Sequence, residues 1–124
     1  MDKMDKLEYM FMCQQDLQEK LLDVKLPDDK PEFMSIYALG LISEVGEVLQ
    51  ADKRWKIGLN WTGGDTRHHE RGEVINELTD CMLYLVNLML ACNIGCDEFF
   101  ESFIETQNKV RARNGFGEIR CPNE

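Results

Sequence analysis

Four carboxylates recur in two short patterns, EVGE at residues 44 to 47 and ELTD at residues 77 to 80. Residues three apart on a helix share a face, so Glu44 points with Glu47 and Glu77 points with Asp80. Glu44 interrupts the apolar stripe Leu41, Val45, Val48, and Glu47 sits toward Gly40, Ser43 and Ala51, where small side chains leave room. Glu77 falls between Val74 and Cys81 on the apolar side of its own segment. Four carboxylates facing one another in a groove of low dielectric would repel and could not all stay ionised. A hard divalent cation resolves that conflict, and an all-oxygen donor set suits Mg²⁺, with Mn²⁺ as a substitute. The competing reading is two solvated acidic pairs at the edges of amphipathic helices.

Other residues are placed to serve an anionic or planar ligand. Cations collect at Lys53, Arg54 and Lys56 and again at Lys109, Arg111 and Arg113. Lys53, Lys56, Lys109 and Arg113 are candidates to hold phosphate oxygens, arginine offering a bidentate fork; alternatively they complement the dipoles of helix C-termini. Gln14 lies on the stripe Met10, Gln14, Leu17, Leu21, where an amide is unexpected if the helix only packs. A buried amide can pair with a base edge through one donor and one acceptor, or be satisfied by backbone or water. Trp55 and Trp61 flank a loop and offer faces for stacking, or else simple packing.

Both acidic patterns, in this order and each in an apolar helix, resemble the ExxE and ExxD signature of the all-α nucleoside triphosphate pyrophosphohydrolases, a group that includes MazG-like proteins, dCTP pyrophosphatases and dimeric dUTPases. The likeness extends through ALGLISEVGEVLQADKRWK and ELTDCMLYLVNLMLACNI to NKVRARNG, covering roughly residues 7 to 115. It implies that Glu44, Glu47, Glu77 and Asp80 bind Mg²⁺ ions that bridge a triphosphate and orient a water for attack on the α-phosphorus. The implied products are a nucleoside monophosphate and pyrophosphate. Glu47 is the preferred acceptor of the water's proton, although the pattern itself does not separate ligand from base. The closing NKVRARNG resembles the family's phosphate-binding end, which brings in Asn108, Lys109, Arg111 and Arg113, at a spacing that aligns ambiguously. QQDLQ at 14 to 18 is similar to the first-helix segment with which dimeric dUTPases contact uracil, and RWKIGLNW to the tryptophan-bearing segment of dUTPases and dCTP pyrophosphatases alike. The expected substrate is a pyrimidine deoxynucleotide, dUTP or dCTP, removed in housecleaning of the nucleotide pool. A broad MazG-like specificity is the alternative, and homodimers or homotetramers are the assemblies that the family implies.

Two other classes compete. A di-iron carboxylate bundle calls for ExxH pairs on inward-facing helices, whereas both histidines here fall in a loop beside Asp65 and Glu70. A noncatalytic helical interaction module would carry the same acids as surface charge, and all four could then be neutralised without functional loss.

Composition narrows the setting. The chain has 124 residues, enough for one domain with a single core. Its 14 Lys and Arg against 23 Asp and Glu give a formal charge of −9, which argues against a general nucleic-acid binder. Five cysteines without framework spacing point to a reducing compartment. The charged start and the expected absence of an apolar run of spanning length make a cytoplasmic protein without membrane contact the expectation.

These residues need elements to hold them. Apolar periodicity predicts an all-α bundle of four helices over residues 1 to 124, and the resemblance implies that it is MazG-like and completed by oligomerisation. The first helix spans about 3 to 23 and ends before KLPDDKPE, a linker over about 25 to 32 marked by two prolines. A second runs from Pro31 to about Lys56, and IGLNWTGGDTRHH reads as a loop. The third covers about Glu70 to Asn93, and the fourth begins with Asp97 as N-cap and continues to about Asn114. Gly115 is a stop signal, and residues 115 to 124 read as a mobile tail.

Overall fold

The computed structural model describes residues 5 to 59 and 69 to 122. The chain is all-α, with helices α1 (Lys6–Leu22), α2 (Pro31–Ala51), α3 (Arg54–Gly58), α4 (Arg71–Ala91) and α5 (Cys96–Arg113). The only β pairing among the described residues is an isolated bridge between Asp52 and His69. Helices α2 and α4 pack along most of their length and form the spine. Helix α1 lies on α4, and α5 reaches the bundle through α1.

Local chemistry sets the helix ends. The Asp5 carboxylate caps α1 by accepting from the Glu8 amide at 2.8 Å, and Asp23 closes it in the left-handed region. Pro31 opens α2 at a first-turn position that lacks nothing by having no N–H. The linker between them contributes to the core: Leu26 is buried, and its amide donates to the Glu19 carboxylate at 2.8 Å.

Two boundaries differ from expectation. The second helix was expected to reach Lys56, but α2 stops at Ala51. Asp52 turns into an extended conformation, and its carboxylate accepts from the Arg54 amide at 3.1 Å while pairing with the Arg54 guanidinium. A short acid that bonds the backbone two residues on competes directly with helix continuation. The resulting fifth helix, α3, is fastened by the Trp55 indole, which donates at 3.1 Å to the Leu49 carbonyl in the last turn of α2, one of the acceptors a helix end leaves open. At α5, Gly95 is the N-cap and Asp97 sits in the first turn, where its charge complements the dipole.

Residues beyond Gly115 return along α5. Asn108 donates to the Ile119 carbonyl at 3.1 Å and accepts from the Ile119 amide at 2.8 Å, while Arg111 donates to the Gly117 carbonyl at 3.3 Å. The segment expected to be a loose tail is therefore hydrogen-bonded to the helix as far as Ile119.

The buried apolar core is small: Phe11, Leu26, Tyr37, Val86, Leu90 and Ala91, with Phe11 stacked on Phe99 of α5. In the α2–α4 contact Gly40 meets the Tyr84 ring so closely that a Cβ at residue 40 would overlap it. Contrary to expectation, one segment does reach spanning length: α4 is long and apolar enough to cross a membrane by length and composition alone. It carries Glu77 and Asp80 and packs on α1 and α2.

Candidate metal centre

Helices α2 and α4 bring the two acidic patterns face to face. One carboxylate oxygen each from Glu44, Glu77 and Asp80 lies within 4.8 Å of the others, and all three residues are half-buried. Glu47 is exposed and stands outside that triad, yet it is the largest single charge acting on Glu77. The Glu77 carboxyl is held above its ordinary value, first by burial and then by Glu47, Asp80, Glu44 and Glu73. The neighbouring Cys81 thiol is also pushed up, by burial and by the charges of Glu44, Asp80 and Glu77, so it remains a protonated neighbour.

Among the described residues, no ion pair neutralises this charge. The ion pairs among the described residues are Lys20 with Asp16, Lys30 with Asp28 and Arg54 with Asp52, and none involves the four acids. Three half-buried carboxylates could hold an oxygen-seeking divalent metal: the donors are hard and charged, and three among the described residues are too few for a closed cage.

A cavity of about 420 Å³ opens beside the cluster, with Glu44 and Asp80 in its wall. Gln14 of α1 lines the same cavity. Its Nε2 donates to Asn87 Oδ1 of α4 at 2.8 Å, and both amides are buried, at 6% and 3% exposure. Asn87 was not anticipated. Its signal in the sequence is faint: one amide within LVNLML, seven residues after Asp80 and so on the same side of α4 two turns on.

The remaining candidates are dispersed. Lys53 and Trp55 are half-buried around α3, and the Lys56 ammonium sits 5.6 Å from the centre of the Trp55 ring. Trp61 lies outside the described residues. In α5, both ends of the Asn108 amide are engaged by Ile119, and the Arg111 guanidinium by Gln107 and Gly117. Those two side chains hold the C-terminal segment, whereas the sequence suggested ligand contacts. Lys109 and Arg113 are exposed on a helix that packs on α1.

No family model, curated protein or solved structure matches this chain. The site is therefore read from its own geometry.

Proposed function

We propose that this chain is a Mg²⁺-dependent nucleoside triphosphate pyrophosphohydrolase, converting a (d)NTP to the monophosphate and pyrophosphate. The observation that carries this reading is the convergence of Glu44, Glu77 and Asp80 oxygens within 4.8 Å, with no ion pair to any of them among the described residues. Bound Mg²⁺ would offset phosphate charge, acidify a water and fix its position. Glu44, Glu77 and Asp80 are the ligands in this proposal. Glu47, exposed and next to Glu77, is the carboxylate free to accept the proton.

The cavity supports a nucleotide more than a bare polyphosphate. Carboxylates occupy one part of its wall, and Leu17, Leu21, Leu83 and Tyr84 provide apolar surface for a planar group. A pyrimidine deoxynucleotide, dUTP or dCTP, is the substrate we favour, by the resemblance of the Gln14 segment. Incubation with each canonical dNTP and dUTP in Mg²⁺ tests this: preferential loss of dUTP or dCTP supports it, and preferential purine cleavage removes the base assignment while keeping the chemistry.

We further propose that the working form contains more than one copy. Leu39, Ile42, Val45 and Leu49 of α2 and Ile75, Leu78 and Leu85 of α4 are all exposed, each set at spacing that shares a helix face. A second copy of the same spine is the occupant with matching apolar surface.

A further inference from the structure

Gln14 and Asn87 are 73 residues apart and come from different helices, yet they form a hydrogen-bonded amide pair in the wall of the cavity that also holds Glu44 and Asp80. Burying two amides is costly unless their groups are satisfied. Their mutual bond uses one donor of Gln14 and one acceptor of Asn87, leaving Gln14 Oε1 and Asn87 Nδ2 without a partner among the described residues. Among the described residues, the Tyr37 hydroxyl is the one side-chain polar atom that is fully enclosed and unpartnered. Gln14 Oε1 and Asn87 Nδ2 must therefore keep some open surface, and the cavity that both residues line provides it.

The pair thus offers an acceptor and a donor side by side. Turning both amides by half a rotation exchanges the two roles and still leaves one donor and one acceptor. The complementary ligand edge carries an adjacent acceptor and donor, as in the lactam or amidine edge of a nucleobase. Along α4, Asp80 and Asn87 are separated by seven residues, about 10.5 Å at the helical rise. That separation suits one nucleoside, its phosphate end at the carboxylates and its base at the amides.

We infer that Asn87 is the positioning residue of a base-reading amide clamp: it fixes the Gln14 amide and presents the second polar group to the base edge. This rests on the reading of the site as a nucleotide site. It adds a residue that the acidic patterns and the first-helix segment do not indicate, and it assigns to α4 both ends of the ligand.

The test uses Asn87→Asp and Asn87→Leu in the intact chain. Asn87→Asp keeps shape and an acceptor for Gln14 Nε2 but replaces the cavity-facing donor. It should lower kcat/KM for the preferred base by at least about tenfold, the scale of one buried group left unpaired, chiefly through KM, and should alter the ranking of dUTP, dCTP, dTTP, dATP and dGTP. A fall shared equally by every base, with the ranking intact, would overturn the inference, because a purely structural role acts on all substrates alike. Binding of free deoxynucleosides to the metal-free protein, followed by saturation-transfer NMR, keeps the test separate from turnover. The wild type should bind at least one deoxynucleoside, and Asn87→Leu, folded by circular dichroism, should not. Absence of turnover with Asn87-dependent nucleoside binding defeats the hydrolase reading alone. Nucleoside binding unchanged in Asn87→Leu, or absent from the wild type, defeats the clamp.

Discussion

Glu44 of α2 and Glu77 of α4 bring carboxylate oxygens within 4.8 Å of each other across the contact between the two helices. The α2–α4 contact is therefore an electrostatically loaded seam: it joins apolar faces while pressing acids together. Loaded seams of this kind respond to anything that removes negative charge, and the predictions begin there.

The first concerns pH. Because Glu77 holds its proton more tightly folded than unfolded, its contribution to stability is full below the ordinary glutamate value of about 4.3 and declines as pH rises, until the folded carboxyl also ionises. Asp52 acts in the opposite sense and in a lower window, since Arg54 holds it at about 2. Above pH 5, metal-free protein should lose Tm with rising pH. Added Mg²⁺ should raise Tm more at pH 8 than at pH 5, because protons and metal compete for the same oxygens. Thermal melts in EDTA and in Mg²⁺ across this range check the sign.

Removing one charge separates function from folding. Glu77→Gln keeps shape and relieves the repulsion, so metal-free Tm should hold or rise while metal-dependent turnover falls by at least about tenfold. Turnover near wild type would remove Glu77 from the site. Paired melts and rate measurements on one preparation suffice.

Gly40→Ala tests the spine itself. Its Cβ would overlap Tyr84, and neither helix backbone can withdraw without disturbing its packing. A loss of about 1–3 kcal/mol is expected from overpacking. Chemical denaturation measures it, and Gly40→Ala combined with Tyr84→Leu should recover part of the loss.

Asn108→Ala addresses the C-terminal segment. Both ends of that amide hold Ile119, so its removal should speed tryptic cleavage after Arg120. Turnover should change little. A large loss of turnover with unaltered proteolysis would instead restore the ligand role that the sequence suggested.

Much of this arrangement was legible in the sequence because it is periodic. Apolar residues at helical spacing give the four long helices, and paired acids at i, i+3 on those same faces give the carboxylate cluster. What escaped is aperiodic or distant. The end of α2 at Asp52 depends on one carboxylate turning back onto the Arg54 amide, which the apolar pattern does not register. Asn87 gains meaning only beside Gln14, 73 residues away. Asn108 and Arg111 resemble ligands by type, while Asn108 bonds the Ile119 backbone and Arg111 bonds the Gln107 side chain and the Gly117 carbonyl, Gly117 and Ile119 lying in a segment that composition marks as loose.

The apolar faces of α2 and α4 yield a further expectation. Light scattering coupled to size exclusion should give a mass that is a multiple of 14.4 kDa, and Leu78→Glu, at a position 52% exposed in the single chain, should lower it. A monodisperse wild-type monomer would contradict the proposed assembly.

The most direct test of the central claim is product analysis in ¹⁸O-labelled water, with Mg²⁺ and dUTP or dCTP, comparing the wild type with Glu44→Gln. The account predicts monophosphate and pyrophosphate in equal amounts, the label entering the monophosphate because water attacks the α-phosphorus, and no product from the variant. Label in orthophosphate or pyrophosphate, or identical rates in the two proteins, would contradict it.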